Sequence, residues 1–124
     1  LRLTVLTGSG SLTARLDEAE TSLGRTRDAV TRRDLHLVIA EVRLSDERYD
    51  AKTLGHLRAA LAATGPADVL RADLLVQIGR LATRLGELAT ARTHYEEFLK
   101  DYPKERRHYT VRAALAHLGK TFPP

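Results

Sequence analysis

The chain has 124 residues, 43% of them hydrophobic and 29% charged, which is the size and composition of one ordinary globular domain rather than of a disordered segment. It contains no cysteine, so disulfides, thiolate metal sites and cysteine nucleophiles are excluded, and no apolar run approaches the roughly 18 residues of a membrane span. The formal net charge of +4 resides in the last 25 residues, where six Lys and Arg stand against Asp101 and Glu105.

Residues 1–10, LRLTVLTGSG, read as a flexible tail. The G-x-G within it lacks the further glycine or the Gly-Lys-Ser/Thr that a phosphate-binding loop needs. From Ser11, a candidate N-cap, the positions Leu12, Leu16, Ala19, Leu23, Thr26 and Val30 step by four and three residues, predicting a helix over 11–32 that packs on its own neighbour. A second helix follows Asp34. A third carries Leu54, Leu57 and Leu61 and ends at Gly65-Pro66. A fourth carries Leu70, Leu74, Leu75, Ile78, Leu81 and Leu85 and ends at Gly86, and a fifth carries Leu88, Ala91, Tyr95, Phe98 and Leu99 and ends at Pro103. A sixth, over 107–120, is striped by Val111, Leu115, Leu118 and Phe122, with Arg112, His117 and Lys120 turned away. The expectation is an all-α single domain over 11–124 with about six helices joined by short turns.

Gly79 lies inside a helix, where it costs about 1 kcal/mol against alanine. A close backbone approach would compensate, so Gly79 and Ala91 are expected to face each other across a tight antiparallel hairpin, with Gly86 making the left-handed turn and Tyr95 filling the space beyond. Read together, Leu75-x2-Ile78-Gly79-x2-Ala82, Ala91-x3-Tyr95 and Pro103 resemble the tetratricopeptide repeat family, a helical hairpin of about 34 residues. Leu75 replaces the family's bulky aromatic and Ala82 its tyrosine. Leu115-x2-Leu118-Gly119 repeats the start of the pattern 40 residues on.

The resemblance implies antiparallel hairpins stacked as a short right-handed solenoid, with units at 34–66 and 67–103, an extra N-terminal helix and a capping helix at 107–120. It implies a non-enzymatic protein–protein interaction scaffold whose groove is lined by the first helix of each hairpin; the stripe of the sixth helix is expected to cap the array and leave a monomer, with a homodimer or a continued array as the alternative. Carried over by the motif, the groove residues are Asp73, Val76, Arg80, Thr83, Arg84 and Lys120, and Arg80, Arg84 and Lys120 would favour an acidic peptide or helix. YEEFLKDYP is similar to repeats of bacterial envelope and assembly proteins, which leaves cytoplasm and periplasm both open.

Catalytic and metal chemistry has no comparable signal. His36, His56, His94, His108 and His117 form no H-E-x-x-H, and no nucleophile elbow or EF-hand spacing occurs; no enzyme, metal or cofactor is expected. The rival reading is nucleic acid. KERRHYTVR at 104–112 mixes cations with a tyrosine, as phosphates and bases require, and RTRDAVTRR at 25–33 is a second basic run.

Overall fold

Two Asp-x-x-Thr sequences begin helices in this chain. Asp28 accepts from the backbone N–H of Thr31 at 2.8 Å, and Asp50 from that of Thr53 at 2.9 Å; each satisfies a donor that a helix N-terminus leaves unpaired. The computed structural model describes residues 9–121, with side chains from Leu12 to Gly119. Within those residues the chain forms six helices and no strand: α1 Ser9–Arg25, α2 Ala29–Ser45, α3 Ala51–Ala62, α4 Leu70–Leu85, α5 Leu88–Asp101 and α6 His108–Thr121. The all-α expectation holds, and so does the number of helices.

The first helix is shorter than its stripe predicts. A break at Thr26-Arg27-Asp28 ends α1 at Arg25, so Val30 belongs to α2 and is exposed. Asp28 starts the new helix, not Asp34, and Arg32 Nη1 donates to the Leu23 and Thr26 carbonyls at 2.8 and 3.1 Å, covering groups that the end of α1 leaves free. The helix also begins at Ser9 rather than after a cap at Ser11. Residues 1–8 of the expected tail, Phe122 and the side chain of Lys120 lie outside the described residues.

Each helix packs chiefly on its neighbours in sequence, α1 on α2 through to α5 on α6. One apolar cluster runs from Ala40 in α2 through Leu57, Leu75, Ile78 and Phe98 to Val111 and Leu118 in α6. Leu16 and Ala19 of α1 join Ile39 and Val42 in a separate, smaller cluster. α1 is therefore held by much less buried apolar surface than α4, whose period-3.6 face is covered from both α3 and α5. Val111 and Leu118 are buried and Leu115 partly so, while Arg112 and His117 are exposed, as the sixth stripe predicts.

Both hairpin turns close by the same hydrogen-bond pattern. Gly86 has φ 79°, its N–H donates to Thr83 O at 3.1 Å, and the Glu87 N–H donates to Ala82 O at 2.9 Å. This is the Schellman arrangement, which places a left-handed residue just past the helix. After α2 the left-handed residue is Glu47, φ 57°, with Glu47 N–H on Leu44 O and Arg48 N–H on Arg43 O, both 2.9 Å. No glycine marks that turn. It is fixed from inside instead: the buried Arg43 donates from Nε to Thr53 Oγ1 at 2.9 Å and from Nη2 to Asp50 at 2.7 Å, while Thr53 Oγ1 donates to Arg48 O at 2.8 Å.

The α4–α5 hairpin corrects one expectation. A Cβ placed on Gly79 would lie 2.3 Å from Tyr95 Cε1, 2.6 Å from Cδ1 and 2.8 Å from Cζ. The ring of Tyr95, rather than Ala91, is the nearest neighbour of the missing side chain. Leu75, Ile78, Ala82, Ala91 and Tyr95 are all buried, so the motif positions form the hairpin interior. Pro103 is exposed, two residues past the end of α5. Gly119 meets nothing within 4 Å, so the packing that explains Gly79 does not recur at the second motif glycine.

Candidate functional site

The helical period of α4 sorts its residues. Leu74, Leu75, Ile78, Leu81 and Ala82 are buried; Asp73, Arg80 and Arg84 are exposed, with Gln77 at the boundary. Val76, expected on the groove, is buried at 2% exposure. Contact with helices on two sides widens the apolar face of α4 beyond a single stripe, and Val76 falls inside that wider face.

Asp73 is at the surface but engaged. Its Oδ1 accepts from Arg107 Nη1 at 2.9 Å and its Oδ2 from Gln77 at 2.6 Å. Thr83 donates to Gly79 O at 2.8 Å along the helix. Of the six residues expected to line a groove, Arg80 and Arg84 are those the structure brings to one cleft.

That cleft, of about 270 Å³, is lined by Leu44 from α2, Tyr49 from the α2–α3 turn, and Gln77, Arg80, Leu81 and Arg84 from α4. Its apolar wall is Leu44, Leu81 and the Tyr49 ring. The Arg84 guanidinium carbon lies 4.0 Å from the centre of that ring, a close cation–π contact. No carboxylate lines the cleft. Among the described residues, neither Arg80 nor Arg84 makes an ion pair. Arg33, Arg43, Arg48, Arg71 and Arg107, by contrast, each hold an aspartate or glutamate. Leu44, Tyr49 and Gln77 are not among the groove residues the motif implies; the turn at Glu47 delivers Tyr49 to α4, and only the tertiary contact reveals it.

Two further groups of polar side chains come together. His36 of α2 and His56 of α3 meet with Nδ1 atoms 2.9 Å apart. Burial lowers the pKa of both, helped at His36 by Arg32 and at His56 by His36 and Lys52. One imidazole must therefore donate and the other accept. Among the described residues no group of three or more His, Asp or Glu converges as metal ligands would. The basic segment of 104–112 is divided in role: Arg107 is neutralised by Glu105 and Asp73, whereas Lys104, Arg106 and Arg112 are exposed. Among the described residues no helix is long and apolar enough to cross a membrane. No family model, no curated protein and no solved structure matches this chain.

Proposed function

We propose that this chain is a non-enzymatic interaction module, built of tetratricopeptide-like hairpins, that holds an acidic peptide or helix against the outer face of α4. The observation that carries this reading is the cleft with two guanidiniums, no carboxylate and an apolar wall. A guanidinium that holds no carboxylate within the chain offers a planar pair of donors to one from a ligand. Tyr49 holds Arg84 in place by stacking, so less side-chain freedom is lost on binding. Leu44 and Leu81 give an apolar side chain of the ligand a surface to cover. A short segment alternating acidic and apolar residues matches both halves of the site.

The test is selection from a displayed library of random peptides, followed by anisotropy titration of the enriched sequences. Enriched peptides should carry Asp or Glu beside Leu-like residues. Arg80→Glu should weaken them by about 10- to 100-fold, since hydrogen bonds to charged groups contribute about 1.5–3 kcal/mol. Helicity should be unchanged because Arg80 is exposed. Arg106→Glu is the matched control; Arg107 is unsuitable because it ties α4 to the α5–α6 turn. Equal binding by the parent chain and Arg80→Glu would overturn the proposal.

A further inference from the structure

The start of α6 carries a second basic surface, away from the cleft. Arg107 anchors it at Asp73 in the first turn of α4, while Arg84 sits in the last turn of the same 16-residue helix. At 1.5 Å per residue those turns are about 16 Å apart. An open depression of about 400 Å³ there has Lys104, Glu105, Arg106, His108, Tyr109 and Arg112 in its lining.

The one carboxylate in that lining is already engaged. Glu105 Oε1 accepts from the Arg107 backbone N–H at 2.7 Å and Oε2 from Arg107 Nε at 2.8 Å, which leaves Lys104, Arg106 and Arg112 uncompensated. Tyr109 is 76% exposed, the largest aromatic surface among the described residues. The ring is nonetheless held. His108 meets it edge-on with centroids 5.7 Å apart, the Arg112 guanidinium lies 5.7 Å from its centre, and Arg112 Nη2 donates to His108 Nε2 at 2.8 Å. His108, Arg112 and Tyr109 thus fix one another, and a flat apolar ring is presented among three cations that hold no carboxylate.

We propose that this surface is a contact site for single-stranded nucleic acid, with an unpaired base stacked on Tyr109 and the flanking phosphates held by Lys104, Arg106 and Arg112. Stacking needs an exposed ring that does not have to be ordered on binding, and phosphates need cations without internal carboxylates. The surface supplies both. An acidic peptide would use the cations and leave the ring idle; a duplex keeps its bases stacked and would do the same. The inference does not depend on the α4 cleft.

The experiment is anisotropy titration of a fluorescein-labelled 12-nucleotide oligouridine, with a labelled oligoglutamate and a duplex of equal length beside it. The oligouridine should bind tightest. With three phosphates neutralised, log K should fall against log salt with a slope of about −2, and Lys104→Glu/Arg106→Glu should flatten it to about −0.7 or less. Tyr109→Ala should weaken binding by about 5- to 100-fold, the range for one lost base stack, while leaving the salt slope unchanged; Tyr109→Phe should restore it. Circular dichroism on each variant reports whether α6 remains folded. Oligoglutamate or duplex binding as tightly as oligouridine, or Tyr109→Ala binding like the parent chain with the fold intact, would refute base stacking. Loss of oligouridine binding with Arg80→Glu rather than with Lys104→Glu/Arg106→Glu would place nucleic acid in the α4 cleft and overturn the assignment.

Discussion

Alanine at position 79 puts two opposing effects in competition. In an exposed helix interior, Gly→Ala stabilises by about 1 kcal/mol through backbone entropy. At Gly79 the new methyl would lie 2.3 Å from a ring carbon of Tyr95, with two more ring carbons inside 2.9 Å. The ring cannot swing away, because Tyr95 is only 3% exposed and packed in the main core. Overpacking a core of this density costs about 1–3 kcal/mol, and a contact this short calls on the upper part of that range. Gly79→Ala should therefore destabilise by about 1–2 kcal/mol net, lowering the melting temperature by about 3–12 °C for a domain of this size. Gly55→Ala is the internal control: Gly55 lies in α3 with nothing within 4 Å of the added carbon, so the propensity term acts alone and stability should rise by up to about 1 kcal/mol. On a Tyr95→Ala background Gly79→Ala should turn stabilising. Thermal melts of the four variants decide the matter, and a rise in melting temperature for Gly79→Ala in the otherwise unchanged chain would refute the close-packing account.

Thr53→Val should cost about 1–3 kcal/mol in chemical denaturation, since it leaves Arg43 Nε and the Arg48 carbonyl without their partner in a buried turn. Glu47→Gly should stabilise by about 0.5–1 kcal/mol in the same assay: the left-handed strain of a non-glycine residue is relieved, offset by greater freedom in the unfolded chain. The histidine pair sets a pH dependence. His36 and His56 both titrate below their ordinary value when folded, so the unfolded chain binds more protons; the pair's contribution is complete above about pH 6.5 and is lost as pH falls below it. Glu20, held low by Lys52, and Asp50, held low by the Thr53 amide, act only below pH 4.5, which leaves the window between for the histidines. The urea midpoint should fall from pH 7 to pH 5, and His56→Gln should flatten that dependence.

The stripes of α3 to α6 were legible because period-3.6 apolar runs are punctuated there by residues with one backbone meaning, Gly86 in a left-handed turn and Pro103 past a helix end. The α1–α2 break was not, because Gly24 beside it stays helical and no proline follows: Asp28 and Arg32 make the turn through side-chain bonds, and the apolar spacing continues across it. The same cause hid Glu47, whose left-handed conformation is imposed by the Arg43–Asp50–Thr53 network. In the cleft, Arg80 and Arg84 could be placed from their register on one helix, but Val76 could not, since burial from two sides depends on neighbours that a single stripe does not encode. Tyr49, His36 and His56 acquire their partners across helices, which a one-dimensional pattern cannot show.

The acidic-ligand cleft is the central claim, and nuclear magnetic resonance tests it most directly in a 13.8 kDa chain. Backbone and guanidinium signals would be followed during titration with the peptide selected from the library. The account predicts shifts concentrated at Leu44, Tyr49, Gln77, Arg80, Leu81 and Arg84, with the Arg80 and Arg84 side-chain N–H signals moving most. Shifts centred on α6, or on the α1–α2 face with the Arg80 and Arg84 signals unmoved, would contradict it.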